Sequence, residues 1–140
     1  ENDKIIIRQT SDRIISTLDN DGYYTMNNVI IIQLLQDCIY ENKFILCLLN
    51  SSVINFIYQN ITQEKSRVFA EVKPINLRKL PIKKITPIEQ QPFINKVDQI
   101  LSLKKEKPQA DTGDLEKEID IMVYELYGLT EEEIKIVEGC

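Results

Sequence analysis

The stretch 43–61, KFILCLLNSSVINFIYQNI, constrains the fold more than any other part of the chain. Placed on a helix, its apolar side chains point to nearly every side, with Asn42 in front as a candidate cap. A helix without a polar face cannot lie on a surface, so this one must be packed as a core element. Asn50, Ser51 and Ser52 interrupt it, and polar side chains that compete for backbone hydrogen bonds bend or split a helix at such a point.

The residues N-terminal to this stretch read as a sheet. Residues 4–8 (KIIIR) and 13–17 (RIIST) are short β-branched runs, Asn20-Asp21-Gly22 is a strong hairpin signal followed by GYYTM, and 29–35 (VIIIQLL) is a further strand candidate. After the polar loop TQEKSR, the runs 68–73 and 77–82 read as extended, with Pro74 and Pro81 suited to sheet edges or strand ends.

The C-terminal third reads as helices. Thr86-Pro87-Ile88-Glu89 has capping-box spacing with proline at the first helical position, opening a helix to about Lys105 with Phe93, Ile94, Val97, Ile100 and Leu101 on one face. Lys104, Lys105 and Lys107 suit its C-terminal end. After a loop at 108–113, Leu115, Ile119, Met122 and Leu126 recur at helical spacing, and Gly128 is placed to end that helix in a left-handed cap. Thr130 to Glu133 is a second capping box, with Ile134 and Val137 inward. These apolar faces have two fates, a coiled-coil pair or cover for the sheet and for each other. The fold class is therefore α+β: a small, mostly antiparallel sheet with a buried helix over residues 1–85, then a helical portion over 86–140.

Charge is segregated along this plan. The chain has 17 basic and 22 acidic residues, yet residues 65–107 hold 11 basic against 4 acidic side chains, while 108–140 hold 2 against 10. Much of the positive charge sits on the proline-punctuated strip VKPINLRKLPIKK. A basic block between acidic ones points to a local anionic partner, and the plainer alternative is a solvated face that balances acidic elements. Lys65, Arg67, Lys73, Arg78, Lys79, Lys83 and Lys84 are enough to neutralise several phosphates. The polar loop 62–66 and the strand end Arg8-Gln9-Thr10 offer side chains that match base edges.

Several chemistries are disfavoured. Histidine is absent, removing the commonest metal ligand and general base. Cys38, Cys47 and Cys140 lack CxxC spacing and indicate neither a disulfide framework nor a zinc site. Glu71-Val72-Lys73 matches the ExK half of a nuclease signature, for which Asp19 or Asp37 would have to supply the second carboxylate; the tripeptide is common and is read as structural. The tyrosines at 23, 24, 58, 124 and 127 read as packing residues with wet hydroxyls. No run approaches the ~18 apolar residues of a membrane span and no leader is evident, so a cytoplasmic location is expected. A chain that begins with Glu and enters a strand at once reads as a piece of a longer polypeptide.

Taken in order, KIIIRQTSDRIISTLDNDGYYTMNNV, ILCLLNSSVINFIY, VFAEVKPINLRKLPI, IEQQPFINKVDQILSLKKE and LEKEIDIMVYELYGLTEEEIKIVE resemble the TaqI-like C-terminal specificity domain of type IIG restriction-modification enzymes. The ending is also similar to the specificity subunits of type I systems. The resemblance implies a non-catalytic reader of duplex DNA, attached to an N-terminal adenine N6 methyltransferase and often a nuclease. The chain has neither an NPPY-type motif nor a glycine-rich cofactor loop, so S-adenosylmethionine and magnesium are expected for the parent enzyme and no cofactor for this portion. Under this reading the DNA-binding candidates are Arg8, Gln9, Arg13, Lys65, Arg67, Lys73, Arg78 and Lys79. An edge strand is expected to carry Arg78 and Lys79 along a phosphate backbone, with Pro81 ending its pairing. Association of copies through the helical tail is a further expectation, and a protein-docking module without DNA contact is the rival reading.

Overall fold

A computed structural model of the chain describes residues 4–19, 29–62 and 70–139. Three strands open it, β1 (Lys4–Arg8), β2 (Ser16–Asp19) and β3 (Val29–Ile32). They form one antiparallel sheet in the order β2-β1-β3, with Ile6 opposite Thr17 on one side and Ile31 on the other. Alternation sets the buried face: Ile5 and Ile7 have no exposed surface, whereas Arg8 is exposed. The third strand ends at Ile32, three residues short of the apolar run that suggested it. The Asn20-Asp21-Gly22 turn and the tyrosines at 23 and 24 lie outside the described residues.

The apolar stretch is two helices, α1 (Asn42–Leu49) and α2 (Ser52–Thr62), bent by 62° at Asn50-Ser51. All six residues from Phe44 to Leu49 are buried, as a helix without a polar face requires. They form the middle of a layered arrangement, since α1 meets β1 and β2 on one side and α4 (Pro87–Glu106) on the other, while α2 meets α5 (Gly113–Leu126) and α6 (Glu131–Val137). Asn42 is not the cap: Glu41 holds that position and no side chain caps the helix. No single helix among the described residues is long and apolar enough to cross a membrane.

Both capping boxes are formed, Thr86 with Glu89 and Thr130 with Glu133. Gly128, at φ 67°, ends α5 with Gly128 N–H donating to the Glu125 carbonyl and Leu129 N–H to the Tyr124 carbonyl, the paired bonds of a Schellman cap. The helices at the C-terminal end cover the rest of the core. Phe93 and Val97 of α4 and Ile119, Val123 and Tyr124 of α5 join the same hydrophobic cluster as Ile5, Ile7 and Phe44. Ile94, Ile100, Leu101, Met122, Leu126, Ile134 and Val137 pack against it partly buried.

The largest departure from the sequence expectations lies in the basic strip. The run 77–82 is not an extended edge strand. Residues 74–77 form a single helical turn, α3 (Pro74–Leu77), followed by turn residues 78–79, and residues 70–73 pair with no strand among the described residues. The cause is Pro74, which takes the first helical position, where its fixed φ suits a helix and its missing N–H leaves no bond unmade. Arg78 is therefore the C-cap of a helical turn and Lys79 follows it, rather than lying along a strand.

Candidate nucleic-acid interface

The loop 9–15 between β1 and β2 carries three of the candidate residues or adjoins them: Arg8 and Arg13 are exposed and Gln9 is half-buried. Its backbone is tied down almost residue by residue. Arg8 N–H donates to the Ile15 carbonyl at 3.0 Å, and Arg13 N–H donates to Ser11 Oγ at 3.2 Å. The remaining ties come from the bend between α1 and α2. Asn50 Oδ1 accepts from both the Ser16 backbone N–H at 3.0 Å and the Ser16 hydroxyl at 2.9 Å, while Asn50 Nδ2 donates to the Ser16 carbonyl at 3.1 Å. Asn50 thus pairs with both backbone groups of Ser16 as a neighbouring strand would.

Asn55 works one turn further on. Its Oδ1 accepts from Ile14 N–H at 2.7 Å, and its Nδ2 donates to the Leu49 and Ser51 carbonyls at 3.0 and 3.1 Å, which anchors the amide to the bend. Gln59, on the same side of α2 four residues later, donates to the Asp12 carbonyl at 3.4 Å. The bend is itself held internally. Ser51 is 1% exposed; its hydroxyl donates to the Leu48 carbonyl at 2.7 Å and accepts from Ile54 N–H at 3.3 Å. Asp120 of α5 accepts from the Ser52 N–H at 2.8 Å and from its hydroxyl at 2.6 Å, placing a carboxylate at the α2 N-terminus. The same carboxylate adds to burial in pushing the nearby Cys47 thiol up to about 12.

On its other side the loop meets the basic strip. Val72 N–H donates to the Gln9 carbonyl at 2.7 Å, and Val72 is fully buried. This brings Arg8 and Gln9 together with Lys73, the exposed N-cap of α3, across more than sixty residues of sequence. Arg78 and Lys79 are exposed at the end of α3, and Lys83 and Lys84 are exposed beyond it. None of Arg8, Arg13, Lys73, Arg78, Lys79, Lys83 and Lys84 forms an ion pair with a described residue; the pairs present are Lys43 with Asp98 and Lys96 with Glu118. Lys65 and Arg67 lie outside the described residues. Glu71 is exposed, and the described residues contain no group of three or more His, Cys, Asp and Glu able to hold a metal.

The strip is fastened to the helical tail by residues that sequence reasoning did not single out for this role. Tyr127 donates its hydroxyl to the Pro81 carbonyl at 2.7 Å and accepts from Lys83 N–H at 3.1 Å. Gln90, with no exposed surface, donates to the Ile39 and Ile85 carbonyls at 2.9 and 3.2 Å and accepts from Glu41 N–H at 2.8 Å. A buried amide that satisfies three backbone groups is a cross-link between the start of α1 and the start of α4. Its only sequence signal was a polar residue on the inward side of a capped helix.

The TaqI-like C-terminal specificity domain family model matches residues 1–82, which takes in the sheet, α1, α2, α3 and the strip up to Ile82. The chain belongs to this family. Its members are specificity domains, the portions of restriction-modification enzymes that recognise the DNA target, a role that is generally non-catalytic. Residues 83–140 lie beyond the match. Comparison with curated proteins and with solved structures finds no match. Within the matched region, α2 and the Asn50-Ser51 bend before it hold the loop and the start of β2 on one side and Val72 holds the loop on the other.

Proposed function

We propose that the chain reads duplex DNA for a type IIG restriction-modification enzyme, directing an attached N6-adenine methyltransferase and nuclease that use S-adenosylmethionine and magnesium. Arg8 at the end of β1 and Gln9 and Arg13 in the β1–β2 loop face the base edges, Lys73, Arg78 and Lys79 neutralise phosphates beside them, and Lys65 and Arg67 add further phosphate contacts. The supporting observation is a set of exposed cations without carboxylate partners among the described residues, adjoining a loop whose backbone is hydrogen-bonded into place, inside the specificity-family match. Had the strip served only to dock the acidic tail, its lysines and arginines would be buried against the tail carboxylates; they are exposed instead.

Titration of labelled duplex at two salt concentrations tests this. Affinity should fall with log salt at about −0.9 per phosphate neutralised, and Arg78→Ala or Lys79→Ala should each lower that slope by about one on all sequences alike. Arg8→Ala or Arg13→Ala should instead cost about 1–3 kcal/mol on the target while sparing non-specific binding. No binding by wild type even at low salt, or identical curves for wild type and a Lys73, Arg78, Lys79 neutralised variant, would sink the reading.

A further inference from the structure

We infer that Asn55 and Gln59, on one side of α2, are specificity-positioning residues: they set the base preference of the β1–β2 loop without touching DNA. This rests on the DNA-reading role proposed above and deepens it. Asn55 Oδ1 takes the Ile14 N–H at 2.7 Å and Gln59 Nε2 reaches the Asp12 carbonyl at 3.4 Å, so the two amides grip the backbone on either side of Arg13. Arg13 itself is exposed, and its side chain forms no hydrogen bond or ion pair with another described residue. The direction of that arginine is therefore decided by backbone that α2 holds.

Two further features separate positioning from simple stability. Asn55 is braced by its own Nδ2 bonds to the Leu49 and Ser51 carbonyls, so its acceptor oxygen is held at a set distance from the α1–α2 bend. The loop also stands between two supports, α2 and the Val72–Gln9 bond, so loosening the α2 side leaves it tethered through Gln9 to the strip that bears Lys73. Phosphate contacts made by the strip then persist while base contacts made by the loop lose their geometry. Readout of a base edge needs hydrogen-bond distance and direction together, whereas a phosphate contact tolerates movement of a cation.

The test selects bound duplexes from a randomised library at low salt, using the full chain as wild type, Asn55→Leu, Asn55→Asp and Gln59→Glu. Asn55→Asp keeps the acceptor for Ile14, and Gln59→Glu replaces the donor to Asp12 with a repelling carboxylate. Wild type should enrich a sequence, and Asn55→Leu and Gln59→Glu should lose about 5- to 150-fold of the target-over-random preference, the range spanned by one side chain–base pair. Their affinity for random duplex should stay within a few-fold of wild type, and Asn55→Asp, which keeps the acceptor for Ile14 but loses the donor to the Leu49 and Ser51 carbonyls, should fall between wild type and Asn55→Leu. Amide exchange should quicken at residues 12–14 in the two impaired variants and nowhere else in the sheet. A wild type that enriches a sequence, with Gln59→Glu and Asn55→Leu enriching it equally, overturns the inference alone. If Asn55→Leu does not fold, Gln59→Glu with unchanged preference still overturns it. A wild type that enriches nothing overturns the DNA reading and this inference with it.

Discussion

Two of the places where the chain changes direction are built in opposite ways. The bend between α1 and α2 turns on the buried Ser51, and the bonds that shape it are made close by: Ser51 and Asn55 satisfy the Leu48, Leu49 and Ser51 carbonyls and the Ile54 amide, while Asn50, exposed beside them, reaches across to Ser16. The strip from Leu77 to Thr86 is largely exposed and is shaped from a distance, by Tyr127, Tyr40 and Gln90. A buried turn must satisfy every polar group it hides, so its side chains are specified where it occurs. An exposed linker has water for its backbone and takes its course from whatever it is fastened to. The two kinds of turn fail differently when their supports are removed.

The largest expected effect comes from removing the support of the strip altogether. Truncation after Lys107 deletes Tyr127 and strips Ile119, Val123 and Tyr124 from the core, each contributing about 1.5 to 3 kcal/mol when fully buried. It also deletes Asp120, the carboxylate at the α2 N-terminus, so both turns lose a partner. The truncated chain should lose cooperative thermal unfolding by circular dichroism. A truncated monomer that melts at the wild-type temperature would show the tail to be an appendage and the comparison to be mistaken.

A single buried amide should come next. Gln90→Leu keeps roughly the same volume but leaves the Ile39 and Ile85 carbonyls and the Glu41 N–H without their partner. An unsatisfied buried group costs about 1 to 3 kcal/mol, and the Ile85 carbonyl is buried while the bonds to Ile39 and Glu41 are part-buried, so a loss of about 2 to 3 kcal/mol in chemical denaturation is expected. A loss below about 1 kcal/mol would mean that water reaches these groups and that the strip is not anchored through Gln90.

The same contrast explains what was legible in sequence. The bend was readable because its instructions are local: an apolar run on all sides demanded burial, and Asn50-Ser51-Ser52 supplied groups that end one helix and start another. Both capping boxes and the Gly128 cap were readable for the same reason. The 77–82 segment was misread as a strand because Pro74 is compatible with a strand end and with a first helical turn. The backbone on either side of the turn is held by distant residues, Val72 by Gln9 and Pro81 by Tyr127, and neither bond is announced in the local sequence. The candidate cations were legible as a set, but the link of the strip to the β1–β2 loop was not, since it runs through the backbone groups of Val72 and Gln9, and the loop's other supports are three uncharged carboxamides.

The smallest effect is the most discriminating. Tyr127→Phe removes only the hydroxyl that donates to the Pro81 carbonyl and accepts from Lys83 N–H. Tyr127 is half-buried and Lys83 exposed, so water can replace part of what is lost, and about 0.5 to 1.5 kcal/mol is expected. Global stability hardly reports on such a change, whereas local amide exchange does. Exchange at Lys83 should quicken in the variant while Ile54, bonded to Ser51 inside the buried bend, keeps its wild-type rate. Burial pushes the Tyr127 hydroxyl above its ordinary value of 10.0, more than the Lys83 bond lowers it. A raised value in the folded state means the clamp is fully present below pH 10 and is lost as pH rises through the raised value. The difference between wild type and Tyr127→Phe should therefore hold steady from neutral pH to about pH 10 and vanish above it. If Lys83 is equally protected in both proteins, the strip takes its course from Pro81 and its own backbone, and the distinction between a turn shaped from within and one shaped from outside does not hold.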